Sequence, residues 1–231
     1  MDKDSATFTQ YKGNLSPKQI TDGMNAAVAN AKQLRKDAVL LHKHGRFARS
    51  VSLSILSVEE SGKIPILRQL SIATDGKQLK DCWKRYRKHT EKNVMIEFPD
   101  LVGDGGRVLE DFLVLFNGQS RIPRTCDQLK QIGFYTDCLG KSHWSIPENV
   151  IDKALSESML KISGILLTTR HYSEQEVILW IKHMKPVENE SLANMKKALR
   201  NWYTEMKSNG LLNTISDQEI DEYLGVDMND S

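Results

Sequence analysis

Charge of one sign is missing from this sequence: 32 lysines and arginines stand against 30 aspartates and glutamates, a formal net charge of +2. That balance excludes a protein that coats nucleic acid through bulk charge, so any contact with a polyanion has to come from a local patch. Cysteine is scarce. Cys82, Cys126 and Cys138 are the only three, and no pair has metal-finger spacing. An odd number of cysteines without a secretory leader reads as reduced thiols in the cytosol. Long apolar runs are absent as well. The longest, residues 112–116 and 165–167, are far too short to span a bilayer, and residues 1–11 are polar, unlike a signal peptide. The expected location is therefore the cytoplasm, with no membrane partner. No internal repeat, serine-hydrolase elbow or zinc-type His/Cys cluster occurs, and Gly103-Asp-Gly-Gly106 lacks the Lys-Ser/Thr of a phosphate loop. No cofactor or metal is expected.

What is present is helical patterning in a chain of 231 residues, 39% apolar and 27% charged. This is ordinary globular composition, and the length allows a substantial core without staples. Ser16 and Pro17 open a helix over about 17–44, with Ile20, Met24, Ala27, Ala31, Leu34, Ala38 and Leu41 on one stripe. Gly45 stops it. A second helix is predicted over about 46–73, apolar on two sides and therefore central, with a bend at Pro65. The single-glycine break between the two implies a tight antiparallel hairpin. A third helix is predicted over about 77–93, with Cys82, Trp83, Tyr86 and Thr90 facing inward.

The glycines at 103, 105 and 106 mark a loop over 99–106, and a short buried helix follows over 108–116. Residues 117–144 read as irregular, with at most a short strand. Helices return over about 147–170, from Ser173 to Pro186 with a Ser173/Glu176 capping box, and over 191–209, with a short closing helix capped by Ser216 and Glu219. The fold class is all-α, with a tail at 1–16, a main helical domain at 17–172 and a helical extension at 173–231.

Two groups of residues carry chemistry. Glu59 falls inside the apolar stripe of the second helix, and a bare carboxylate there needs a partner. Lys63 lies one turn on, Glu60 is adjacent, and Gly62 lets another backbone or a ligand approach closely. One reading is an acidic anchor for a cation on a neighbouring helix; the plain alternative is a Glu59–Lys63 pair that fixes helix register. The second group lies on the third helix. Arg85 and His89, four apart, share a face of a continuous helix, with Asn93 one turn further. His89 suits general acid/base work near neutrality and Arg85 suits a phosphate. Those are the two jobs of RNA cleavage by internal transesterification. Lys84, Arg87, Lys88 and Lys92 add a local positive patch, so that with Lys63 and Asn93 they form the expected RNA-binding set. The plain alternative is a solvated basic helix with a histidine at its edge.

The stretch from Ala31 through Gly45-Arg-Phe to Glu59-Glu-Ser-Gly-Lys63 resembles the helical hairpin of AbiV-type abortive infection proteins, part of the wider HEPN group. The stretches 83–93 and 128–137, with Trp144 and Pro147, look like their later segments, and the resemblance covers roughly residues 18–170. It implies an HEPN-like bundle around the hairpin, a phage-defence role acting on RNA or the translation machinery, and a homodimer. A phage-encoded activator protein is a further implied partner. Many HEPN domains are metal-independent ribonucleases whose motif places four to six residues between an arginine and a following histidine; this sequence departs from that, with only three residues between Arg85 and His89. Three readings stay open: a ribonuclease with Arg85, His89, Glu59 and Glu60 in its site, a non-catalytic module that binds RNA, a nucleotide or a phage protein, or a purely structural partner such as an antitoxin-like subunit, in which the Glu/Lys and Arg/His groups pair internally.

Overall fold

The computed structural model describes residues 9–212 and 215–225, and the fold there is all-α apart from one two-stranded ribbon. Helix α1 (Pro17–Lys43) begins at the expected cap, where the Ser16 hydroxyl and the Gln19 side chain satisfy each other's backbone donors. His44, Gly45 and Arg46 turn the chain, with Gly45 at φ +71°, into α2 (Phe47–Ser61). The two helices pack along their lengths, and small residues let them approach: the Ser50 and Ser57 hydroxyls each donate to an α1 carbonyl, Ala38 and Ala31, at 2.8 Å.

The second predicted helix is two helices. It breaks at Gly62, and α3 (Lys63–Ile72) follows. Pro65 follows the break by three residues. It lies in the first turn of α3, where a backbone donor has no intrahelical partner to lose. The third predicted helix breaks too. Helix α4 (Gly76–Arg87) ends at Lys88, whose φ −84° and ψ 122° are extended, and a four-residue turn, α5 (His89–Lys92), follows before a 3-10 segment at Asn93–Glu97. Packing explains the break. Cys82 and Trp83 fill a core with Ile20, Met24, Val28, Leu67 and Leu70, whereas α5 turns toward α2 and the later helix α7 (Ile122–Phe134). One straight rod cannot serve both.

Residues 98–103, expected in a loop, form a short helix, α6 (Phe98–Gly103), and residues 109–116 form a 3-10 helix of which Phe112 and Leu115 are buried. The segment expected to be irregular contains α7. Its Pro123 occupies the tolerant first turn, and its Gly133 lies so close to α2 that a Cβ would meet the Ala48 carbonyl oxygen at 2.6 Å. The second core, Val51, Ile55, Val58, Cys126, Ile151 and Met159, sits between α2, α7 and the later helix α9 (Lys153–Leu166). The strands β1 (Asp137–Leu139) and β2 (His143–Ser145) form an antiparallel ribbon leading to α8 (Pro147–Val150), a turn before α9.

The C-terminal extension packs on α1 and α3 through α10 (Glu174–Met184), which starts with the expected Ser173/Glu176 capping box. Helices α11 (Leu192–Ser208) and α12 (Asp217–Leu224) complete it. Arg68 of α3 is the fastening: its guanidinium lies 5.8, 5.3 and 5.2 Å from the ring centres of Tyr172, Trp180 and Trp202. No helix of the described residues is long and apolar enough to cross a membrane.

Candidate functional site

Helix α2 carries Glu59 at its C-terminal end, on the stripe that holds Val51 and Ile55 in the core, and leaves its side chain only 3% exposed. A carboxylate so placed must be surrounded by donors. Nδ1 of His89 lies 2.7 Å from Oε2. The Lys130 ammonium donates to Oε1 at 2.7 Å, the Asn93 amide donates to Oε1 at 3.3 Å, and the Lys92 ammonium stands 3.9 Å from Oε2. Lys130 is also 2.7 Å from Asp127 Oδ1. Two ammoniums thus meet two carboxylates, so the cluster balances without requiring charge on the imidazole. Burial pushes the Lys92 ammonium below its ordinary range, against the pull of Glu59.

The cluster reaches solvent through His89 and, to a lesser extent, through Asp127, whose side chain is 33% exposed. Lys130 and Asn93 are buried, while the His89 side chain is 50% exposed. A carboxylate oxygen only accepts, so Nδ1 carries the proton toward Glu59 and the other ring nitrogen, Nε2, is left to meet whatever enters from solvent. Backbone geometry fixes the approach. A Cβ on Gly62 would lie 2.2 Å from the Lys92 carbonyl oxygen, so α5 comes this close to α2 only because residue 62 has no side chain.

The sequence-predicted residues divide into three sets. His89 and Glu59 come together, joined by Asn93 and Lys92 from inside the protein. Glu60 and Lys63 pair with each other at 2.6 Å, and Lys63 lies 5.3 Å from the centre of the Tyr86 ring; the register pair of the sequence reading is therefore Glu60–Lys63 rather than Glu59–Lys63. Arg85 does not share a helix face with His89, because the break at Lys88 lies between them. It reaches Gln69 of α3 and sits 3.5 Å from Glu91. Of the expected RNA-binding set, Lys84 and Lys88 are exposed, Arg87 is tied to the Tyr11 and Trp83 carbonyls, and Lys92 and Asn93 are buried and cannot meet a strand in solvent.

Sequence reasoning missed Lys130 and Asp127. A signal existed: Cys126, Lys130 and Gly133 recur at four and three residues, so a lysine lies on the apolar stripe of one helix just as Glu59 lies on that of another. The ligand atoms of Glu59, His89 and Asp127 lie within 4.8 Å of one another, close enough for a metal ion. The Lys130 ammonium lies within hydrogen-bond distance of both carboxylates, so a dication at that point would have to displace it.

On the Arg85 side of α5 lies a separate cleft of about 660 Å³, lined by Arg85, Lys88, Glu91 and Arg124 among others, and His89 is not among its walls.

A family model described as AbiV, of the HEPN type, matches residues 19–168. No curated protein and no solved structure matches the chain.

Proposed function

The chain belongs to the AbiV family of abortive-infection HEPN proteins, and from that premise we propose that it blocks phage propagation by acting on RNA, with His89 as the acid/base group. The observation that supports this reading is the 2.7 Å contact between His89 Nδ1 and a buried Glu59 carboxylate while half of the imidazole faces solvent. A buried acid that holds one ring nitrogen fixes the tautomer and aims the other nitrogen outward.

In this reading His89 Nε2 takes the proton from a ribose 2′-hydroxyl, the 2′-oxygen attacks the adjacent phosphorus, and the bond to the 5′-oxygen breaks. The products are a 2′,3′-cyclic phosphate and a 5′-hydroxyl, the latter formed when an acid protonates the departing oxygen. A homodimer brings a second His89 to supply that acid. Glu59 is a positioning residue, and Lys130 and Asn93 hold it in turn. General acid/base work of this kind contributes roughly 10²–10⁴-fold in rate.

The test is cleavage of total RNA by purified protein in EDTA, alongside phage protection in cells. His89→Ala abolishes both if the reading holds, and the cleaved strands end in cyclic phosphate. Protection that survives in His89→Ala cells overturns it.

A further inference from the structure

We propose that a smaller pocket, where α2 gives way to α3, is a binding site for a small uncharged aromatic molecule carrying one hydroxyl, the chemistry of a phenol, and that its occupancy is felt at His89. The site itself does not depend on catalysis by His89.

The pocket holds about 180 Å³. That is below the roughly 300–1,000 Å³ that drug-sized ligands fill. An apolar cavity of about 150 Å³ is nevertheless enough for benzene, so the volume suits a single ring. Val58, Ile64, Pro65, Met95 and Leu166 make the lining mostly apolar. Val58 and Ile64 are buried, while Pro65 is exposed and Met95 and Leu166 are half-buried, which gives a ligand a way in from solvent. No charged side chain lines the pocket among the described residues. An ion entering it would leave its hydration shell and gain no counter-charge in return. Phosphates, carboxylates and amines are therefore disfavoured, and a neutral ring is favoured.

Hydroxyls set the remaining requirement. Ser61, Thr168 and Tyr172 bring the polar side chains of the lining. The Ser61 hydroxyl donates to the Ser57 carbonyl at 3.1 Å. Its one hydrogen is thereby committed, and its oxygen can take a further bond only as an acceptor. The Thr168 hydroxyl accepts the Arg170 backbone N–H at 3.4 Å and has its own hydrogen to give. A ligand hydroxyl, at once donor and acceptor, answers both; a plain hydrocarbon answers neither.

The pocket also borders the supports of the Glu59–His89 pair. Met95 belongs to the 3-10 segment that opens with Asn93, whose amide donates to Glu59 at 3.3 Å. Val58 directly precedes Glu59 in α2. Gly62 lines the pocket and is the seat of the Lys92 carbonyl. A ring held among these residues presses on what positions the imidazole without touching it.

The experiment is an NMR titration of the full chain with phenol, toluene and benzoate, following the imidazole signal of His89, which is identified by its absence in His89→Ala. Phenol saturates one site and binds about two- to tenfold tighter than toluene, the worth of one hydrogen bond, while benzoate does not bind. Ser61→Ala brings phenol down to the affinity of toluene. Leu166→Trp fills the pocket and abolishes binding. Met95→Ala enlarges it and admits naphthol, which the parent protein rejects, so the site is tested even where the filled variant does not fold. The His89 signal moves with phenol and not with benzoate. Overturning results are no saturable binding of phenol, phenol binding unchanged in a folded Leu166→Trp protein, a Met95→Ala protein that still rejects naphthol, benzoate binding as tightly as phenol, or a His89 signal that stays in place at saturating phenol.

Discussion

Two of the histidine–glutamate pairs among the described residues are of nearly equal length and opposite placement. His89 meets Glu59 at 2.7 Å with the acid 3% exposed and the imidazole 50% exposed. His183 of α10 meets Glu205 of α11 at 2.6 Å with the imidazole 17% exposed and the acid 29% exposed. The first pair buries its acid and presents its ring. The second tucks its ring away and turns its acid outward, where Lys182 shares it at 2.7 Å. Length therefore says nothing about use. An acid held by two further donors and a nearby ammonium inside the protein orients a ring that faces out; an acid shared at the surface ties two helices together.

The comparison breaks most sharply by removing the two acids. Glu59→Gln leaves Lys92 buried without its counter-charge and Lys130 with Asp127 alone, and removing one partner of a buried pair costs about 3–5 kcal/mol; Glu205→Gln shifts the denaturation midpoint little. Equal losses in urea unfolding would erase the distinction. Replacing both members of the buried pair sharpens it further. Glu59→Met with Lys130→Met is expected to be closer to the parent protein than Glu59→Met alone, because the double change leaves only the Lys92 ammonium buried without Glu59. A double variant less stable than both singles contradicts that account.

Gly62→Ala comes next. A methyl group against the Lys92 carbonyl forces α5 outward, and overpacking of this kind costs about 1–3 kcal/mol. Phage protection falls with it, while the same change at exposed Gly76, where nothing lies within 4 Å, leaves both intact.

Thiol labelling probes the same core. Burial pushes the Cys126 thiol up to about 11, whereas Cys138 is exposed, so a thiol reagent at pH 8 labels Cys138 first and Cys126 only on unfolding. The sign of the linked stability follows. An unfolded thiol ionises near 9 and the folded one near 11, so the folded state binds more protons between those values and stability falls by about 2–3 kcal/mol as pH rises through them. Smallest is the surface tie. Hydrogen bonds from Lys182 and then His183 hold Glu205 below the usual carboxylate range. Its contribution is present above that range, is lost as pH falls through the lowered value, and shrinks in high salt.

Local features were legible in the sequence. The caps at Ser16, Ser173 and Ser216 were, because a cap is settled within four residues. So was Glu59, because a carboxylate inside an apolar stripe is a mismatch that demands a partner. The break at Lys88 was not: residues 84–92 contain no glycine or proline, and only the competing claims of two cores stop the helix there. The partner of Glu59 was hidden for the same reason. Lys130 follows Glu59 by 71 residues, and only the docking of α7 chooses it over Lys63, one turn away. Reading α7 at all was obstructed by Pro123 and Gly133, which look like breakers until one is seen in the first turn and the other at a helix crossing.

Gly62 gives the Glu-Glu-Ser-Gly-Lys stretch a mechanical meaning. The acid that steers the imidazole stands three residues before Gly62, the position where the main chain of α5 nests against this helix. Orientation and spacing are thus written in a single short phrase of sequence: slide the glycine by one residue and the carbonyl of Lys92 loses its seat, taking the histidine out of reach of its acid even though every polar group is still present.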